Sequence, residues 1–196
     1  FQEIHDAWMK HLVLFFRDQR MTPEQHTAFG ERFGELHIHP AAPYGHDKPA
    51  LMKIHADKNS KRNNGDAWHS DVSADEEPPM VSILHLHQSP SSGGDTLFAN
   101  MYDAYDAYDA YDAYEALSDP LKAFLDPLEA LHQSDYTGFY RDHSPQRENP
   151  STIHPVIRTH PVTGRQTLYV NSGFTRRIRG VTRVESDALL RLLFEH

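Results

Sequence analysis

Trp68-His69-Ser70-Asp71 is the stretch whose reading decides the fold of this 196-residue chain. An imidazole and a carboxylate two residues apart point to the same side of an extended strand. Together they can supply two adjacent ligands to an octahedral divalent metal. A facial set of two His and one carboxylate, with three positions left open on Fe(II), begins in this way. Taken alone the pattern has little specificity, because the chain holds 15 histidines. A His and an Asp hydrogen-bonded at a strand end is the plain structural alternative, so the surrounding sequence has to decide.

The composition bounds the answer. The length suits one domain with a single core, and a hydrophobic share of 38% with 24% charged residues describes a globular chain on the polar side. No apolar run approaches the roughly 20 residues needed to cross a bilayer. Residues 12–16 form the longest run and read as a buried strand. Phe1-Gln2-Glu3 lacks the basic start and apolar stretch of a signal peptide, and a chain opening on Phe without Met does not read as a native N-terminus. The absence of cysteine excludes disulfides, thiolate metal sites and Cys nucleophiles, and fits a reducing cytoplasm. A net charge of -9 argues against nucleic acid as the main partner.

Along the chain, residues 3–12 carry Ile4, Ala7, Trp8 and Leu12 at helical spacing. Thr22-Pro23-Glu24-Gln25 sets an N-cap, a first-turn proline and a capping-box glutamine, which predicts a helix to about Phe33 that stops at Gly34. Residues 40–49 and 57–66 read as loops and 50–56 as a short strand, with further strands at 67–73, 80–88 and 95–100. Residues 117–132 read as helix, kinked or restarted at Pro127, and 134–151 as a polar loop or lid. Residues 153–158 and 166–170 predict a hairpin around Pro161-Val162-Thr163-Gly164. The 182–196 segment predicts an amphipathic helix. Many short strands, few helices and no βαβ rhythm favour a β-rich barrel or double sheet.

Residues 102–113 are four copies of Tyr-Asp-Ala, and Tyr114-Glu115-Ala116 is an imperfect fifth. A period of three fits neither 3.6 nor 2, so on an α-helix the tyrosines would spiral around the surface by about 60° per repeat. The expectation is a tandem duplication on an exposed helical insertion spanning 102–116, without chemistry of its own.

Beyond His69-x-Asp71 lie Pro78-Pro79, an apolar segment, and Ser91-Ser92-Gly93-Gly94-Asp95-Thr96-Leu97-Phe98. The paired glycines permit a tight turn with positive φ, which presents the Thr96 hydroxyl at the start of the next segment. With Thr96 placed 25 residues after Asp71, the combination resembles the taurine and alkylsulfonate dioxygenases of the TauD/TfdA-type Fe(II)/2-oxoglutarate-dependent family. The resemblance extends through Phe15-Phe16-Arg17-Asp18-Gln19, Phe33-Gly34-Glu35-Leu36-His37-Ile38-His39-Pro40, His154-Pro155-Val156-Ile157-Arg158-Thr159-His160-Pro161 and Val170-Asn171-Ser172-Gly173-Phe174-Thr175. It covers nearly the whole chain apart from the repeats and parts of 41–66 and 134–150.

The resemblance implies an α+β chain, β-rich with flanking helices. Its core would be a double-stranded β-helix, the cupin-like jelly roll, forming a single dioxygenase domain over 1–196. His69 and Asp71 match the first two iron ligands, and Thr96 matches a hydroxyl that helps hold 2-oxoglutarate. His39 and Phe174 match residues that line the pocket for a small anionic substrate such as a sulfonate. Fe(II), 2-oxoglutarate and O2 are the implied cofactor and co-substrates, succinate and CO2 the implied products, and the cytoplasm the implied compartment. No nucleic acid or membrane partner is implied, and homo-oligomerisation stays open.

The sequence departs from that pattern in three places. Ala42 stands where the taurine enzymes carry Tyr, and Asn64-Gly65-Asp66 replaces their usual loop, which puts taurine itself in doubt. The family's third iron ligand, a His, and its 2-oxoglutarate-binding Arg follow a Trp-Asp-Asn-Arg segment that these 196 residues lack. The reading is therefore of a fragment, incomplete at the C-terminus and truncated at both ends, with His85, His87, His132, His143, His154 and His160 as structural or surface histidines. Two other classes remain in play. One is a catalytically inactive jelly-roll fragment or pseudo-enzyme that binds a small anion. The other is a cupin-like hydrolase or isomerase, which the spacing of Gly93 to Thr96 disfavours.

Overall fold

The structure is a computed structural model, and it describes residues 1–39, 47, 50–60, 68–101, 114, 116–134 and 150–196. Ala42, Asn64 to Asp66, His143, the four intact Tyr-Asp-Ala repeats and most of the 134–151 loop lie outside the described residues. The chain divides into two compact units, Phe1–Lys53 with Val81–Gly94, and Ile54–Met80 with Asp95–His196.

In the first unit, α1 (Gln2–His11) ends at Leu12, which takes a left-handed φ of 65°. The helix α2 (Pro23–Gly30) begins as its sequence predicts. The Thr22 side chain accepts from the Gln25 backbone N–H and the Gln25 side chain reaches back to the Thr22 N–H. Phe1, Trp8 and Phe29 each meet the ring of Phe33 edge-on, with centroids 4.9, 5.8 and 5.4 Å away. Such edge-to-face packing suits the aromatic quadrupoles.

The second unit holds all of the deeply buried apolar core found among the described residues. After α3 (Asp119–Leu125), strand β1 (Glu129–Gln133) lies between β2 (Ser151–Pro155) and β5 (Thr175–Ile178) in an antiparallel sheet. A two-stranded hairpin, β3 (Ile157–Thr159) with β4 (Gln166–Leu168), follows β2 directly. Its turn uses Gly164 at φ 70°, and the backbone N–H groups of Val162 and Thr163 donate to His160 Nδ1. The helix α4 (Arg183–Glu195) is capped by a Thr182–Glu185 box. It buries Leu190 and Leu193 against Leu125, Ala130, Val156 and Ile178.

Several expectations are corrected. Residues 117–132 are not one helix. Pro127 has no N–H to continue the ladder, so α3 closes at Leu125 and the chain restarts as β1. Helix α2 stops at Gly30, before Phe33. The strands expected at 12–16, 50–56, 67–73, 80–88 and 95–100 form no ladder among the described residues. A strand requires a partner for its N–H and C=O groups. Phe15 and Phe16 stand 68% and 55% exposed rather than buried. Leu84, Leu86, Leu97 and Phe98 are similarly exposed. Tyr114, from the imperfect fifth repeat, departs from the exposed-helix reading as well. It is buried in the core and donates to Gln166 Oε1 at 3.0 Å. What the structure keeps of the expected architecture is antiparallel sheet with flanking helices.

Candidate metal centre

His69 and Asp71 do not sit on a strand. Residues 68–70 are irregular and 71–74 form a turn, in which Val72 takes φ 52°. A β-branched residue is strongly disfavoured in that left-handed region. The turn brings the two side chains together all the same, with His69 Nε2 3.3 Å from Asp71 Oδ1. Two ligands each about 2.1 Å from a first-row metal and at right angles to one another lie about 3.0 Å apart. The observed separation therefore suits a pair of adjacent metal ligands. Both side chains keep an open side, at 35% and 53% exposure. Among the described residues, no group of three His, Asp or Glu side chains is placed to hold a metal ion. His69 and Asp71 could supply at most two positions of a coordination sphere.

The 171–174 segment packs against this motif. Ser172 Oγ donates to the Trp68 carbonyl at 3.1 Å, and the Phe174 ring lies 6.4 Å from that of His69. A Cβ on Gly173 would come within 2.9 Å of His69 Cβ. Glycine is what permits this approach.

Residues 72–74 of the same turn are buried, at 7%, 0% and 1% exposure. Beneath them is a polar cluster whose role did not emerge from the sequence. Ser73 Oγ lies 3.1 Å from His132 Nδ1 and accepts from Asn171 Nδ2 at 3.1 Å. The other nitrogen of His132, Nε2, is 3.5 Å from Thr175 Oγ1. His154 Nε2 donates to the Asp75 carbonyl at 3.0 Å. Burial, followed by the positive potential of His154, Arg176 and Arg158, pushes the His132 imidazole down from 6.5 to about 4. His154 is also lowered, mainly by burial. Both rings are therefore neutral near pH 7. The structural reading of these two histidines fits their burial, but their attachment to the metal-motif turn was not foreseen. The available signal was the alternation along β1, which puts His132 on the same buried face as Ala130.

Gly93 and Gly94 have positive φ of 72° and 77°, as their pairing predicts, and Thr96 beyond them is exposed in an irregular stretch. His39 is half-buried in the first unit. His85 and His87 also belong to that unit, with ring centroids 4.4 Å apart. A cavity of about 420 Å³ lies between β5 and α4, lined by Arg176, Asp187, Arg191 and Phe194 among others, and it includes neither His69 nor Asp71.

Comparison with known proteins defines the class. The family described as "Taurine catabolism dioxygenase TauD, TfdA family" matches residues 1–196. The chain belongs to that family, whose 2-oxoglutarate-dependent enzymes use Fe(II), 2-oxoglutarate and O2. A relative from Saccharomyces cerevisiae, an alpha-ketoglutarate-dependent sulfonate dioxygenase, is 33% identical over 196 residues, covering 93% of this chain and 45% of its own length. An alpha-ketoglutarate-dependent sulfate ester dioxygenase from Pseudomonas putida is 31% identical over 208 residues, covering 100% of this chain and 65% of that protein. Among solved structures, a taurine dioxygenase from Burkholderia xenovorans is similar with a TM-score of 0.72 at 35% identity, covering 100% of this chain and 62% of that one. AAD-2 in complex with Mn(II) and N-oxalylglycine gives 0.62 at 26% identity, over 98% and 66%. The chain spans about half the length of the Saccharomyces cerevisiae protein, 45%, and of a putative alpha-ketoglutarate-dependent sulfonate dioxygenase from Schizosaccharomyces pombe, 48%. No helix among the described residues is long and apolar enough to cross a membrane.

Proposed function

We propose that the protein containing this chain is an Fe(II)/2-oxoglutarate-dependent dioxygenase that hydroxylates a small anionic substrate, a sulfonate or sulfate ester, and releases succinate and CO2. The observation that carries this reading is the 3.3 Å convergence of His69 and Asp71, in a chain whose family match spans all 196 residues. His69 Nε2 and an Asp71 carboxylate oxygen would together hold Fe(II). The metal, when bound, supplies the activation of O2 and binds 2-oxoglutarate. The protein's own share is placement and exclusion of water. Thr96 would hydrogen-bond a carboxylate of 2-oxoglutarate, Phe174 would form a wall beside the metal, and His39 would meet the anionic head group. The fold in this reading is a jelly roll. The compartment is the cytoplasm.

The sulfonate and sulfate ester chemistry of the relatives supports the substrate class. The test is succinate formation by the full-length protein with a panel of sulfonates, sulfate esters and aryloxy acids. Substrate-dependent succinate with an anionic member of the panel is expected, with Thr96→Val raising the 2-oxoglutarate requirement about tenfold, the cost of one hydrogen bond to a charged group. Turnover independent of 2-oxoglutarate would overturn the reading. The 196-residue chain alone, whose described residues supply two ligands, should give no succinate above background.

A further inference from the structure

We propose that Ser73, His132 and Asn171 are positioning residues, forming a buried hydrogen-bond latch that fixes the turn carrying His69 and Asp71 in the geometry a metal needs. The proposal deepens the metal-site reading above and rests on it.

Ser73 is two residues beyond Asp71 and has no exposed surface. Its hydroxyl is the meeting point of two side chains from separate parts of the second unit, His132 on β1 and Asn171 just before β5. Each is itself immobilised. His132 has no exposed surface, is stacked on Tyr169 at 5.5 Å and meets His154 edge-on at 5.2 Å. Asn171 receives the Phe174 N–H on its Oδ1 at 2.9 Å, and its own N–H donates to Thr175 Oγ1 at 2.9 Å. Thr175 Oγ1 in turn faces His132 Nε2, so Ser73, His132, Thr175 and Asn171 close a ring of polar contacts. His154 ties the far side of the turn through the Asp75 carbonyl.

The turn needs such a fastening. Val72 at φ 52° is a conformation that a β-branched residue abandons unless its surroundings impose it. Apolar packing would fill the same volume, but hydrogen bonds set direction and distance. Partners hydrogen-bonded directly to a metal ligand typically change metal affinity by about 10- to 100-fold when removed. The latch, which acts through the turn two residues from Asp71, belongs at the lower end of that range.

The experiment measures Mn(II) affinity of the full-length protein, from the paramagnetic resonance of free Mn(II), with the melting temperature of each variant recorded alongside. Ser73→Ala should fold and bind Mn(II) about tenfold more weakly, the lower end of what outer partners cost. An unchanged affinity in the folded variant would overturn the latch. Two substitutions of His132 separate positioning from mere filling. The Asn amide in His132→Asn stands near Nδ1 and can keep the Ser73 bond, whereas the Gln amide in His132→Gln stands near Nε2 and can keep only the Thr175 contact. His132→Asn should hold affinity within about threefold and His132→Gln should lose about tenfold or more. Equal affinities, or a better Gln variant, would refute the proposal even if Ser73→Ala does not fold. Asp71→Ala is the control for the underlying reading. Wild-type Mn(II) binding that survives it would remove the metal site itself, and the latch with it, by a different result.

Discussion

His69 enters the 71–74 turn, His132 packs against Ser73 within it, and the two present the same ring to different surroundings. His69 is about one-third exposed and faces a carboxylate, which leaves it free to exchange that partner for a metal. His132 has no exposed surface, faces hydroxyls, and is held neutral by burial and nearby positive charge. The difference teaches that an imidazole with an open side and an adjoining carboxylate is placed to act as a ligand, as proposed for His69, whereas one with every side occupied acts as a strut. Residue type alone does not distinguish them.

The sharpest way to break the contrast is at the open end. Asp71→Ala in the full-length protein should reduce Mn(II) affinity and 2-oxoglutarate turnover by at least about 100-fold, more than the loss of an outer partner costs, since it removes the carboxylate proposed as a ligand. Its melting temperature should stay close to wild type, because Asp71 is exposed. A large stability loss with binding retained would reverse the roles assigned to the two sides of the turn.

At the buried end the effect should appear as pH dependence. Unfolded, the imidazole of His132 binds a proton near 6.5, but in the fold only near 4. As pH falls below about 6.5, the unfolded chain takes up a proton that the folded one refuses, so stability falls and the loss is complete near pH 4. The full difference is on the order of 3 kcal/mol. Denaturant titrations between pH 7 and 4 should show it, and His132→Asn should remove about that much of the slope. An identical slope in the variant would mean that His132 is not buried neutral.

The contact between the two regions and the 171–174 segment can be loaded from outside. Gly173→Ala would drive a Cβ to within 2.9 Å of His69 Cβ, and backbone-near atoms of this kind cannot swing away. It should displace the motif and weaken Mn(II) binding by about tenfold, the lower end of what misplaced outer partners cost. Wild-type affinity would show that the turn has slack. The smallest effect is far from the site. Thr182→Ala removes the α4 capping box and should cost about 1 kcal/mol in denaturant unfolding, with no change in Mn(II) affinity.

Local chemistry made much of this molecule legible. Thr22-Pro23-Glu24-Gln25 specifies its helix start because every capping donor and acceptor is within four residues. The box at Thr182 and Glu185 does the same for α4, and Gly93-Gly94 adopts the positive φ that glycine pairs allow. The order of motifs around His69, Asp71 and Gly93 to Thr96 was enough to place the chain in its family, since their spacing is a property of the linear chain. The helix-strand boundary at Pro127 was misread, because the period of residues 117–132 suits both elements and the pairing of β1 with β2 and β5 decides between them. Only the tertiary structure determined that His69 and Asp71 meet across a strained turn, and that Ser73, His132 and Asn171 meet beneath it. Those contacts join residues 59 and 98 positions apart. No local pattern encodes such a separation, and burial on the sheet, rather than neighbours in sequence, chose the partners.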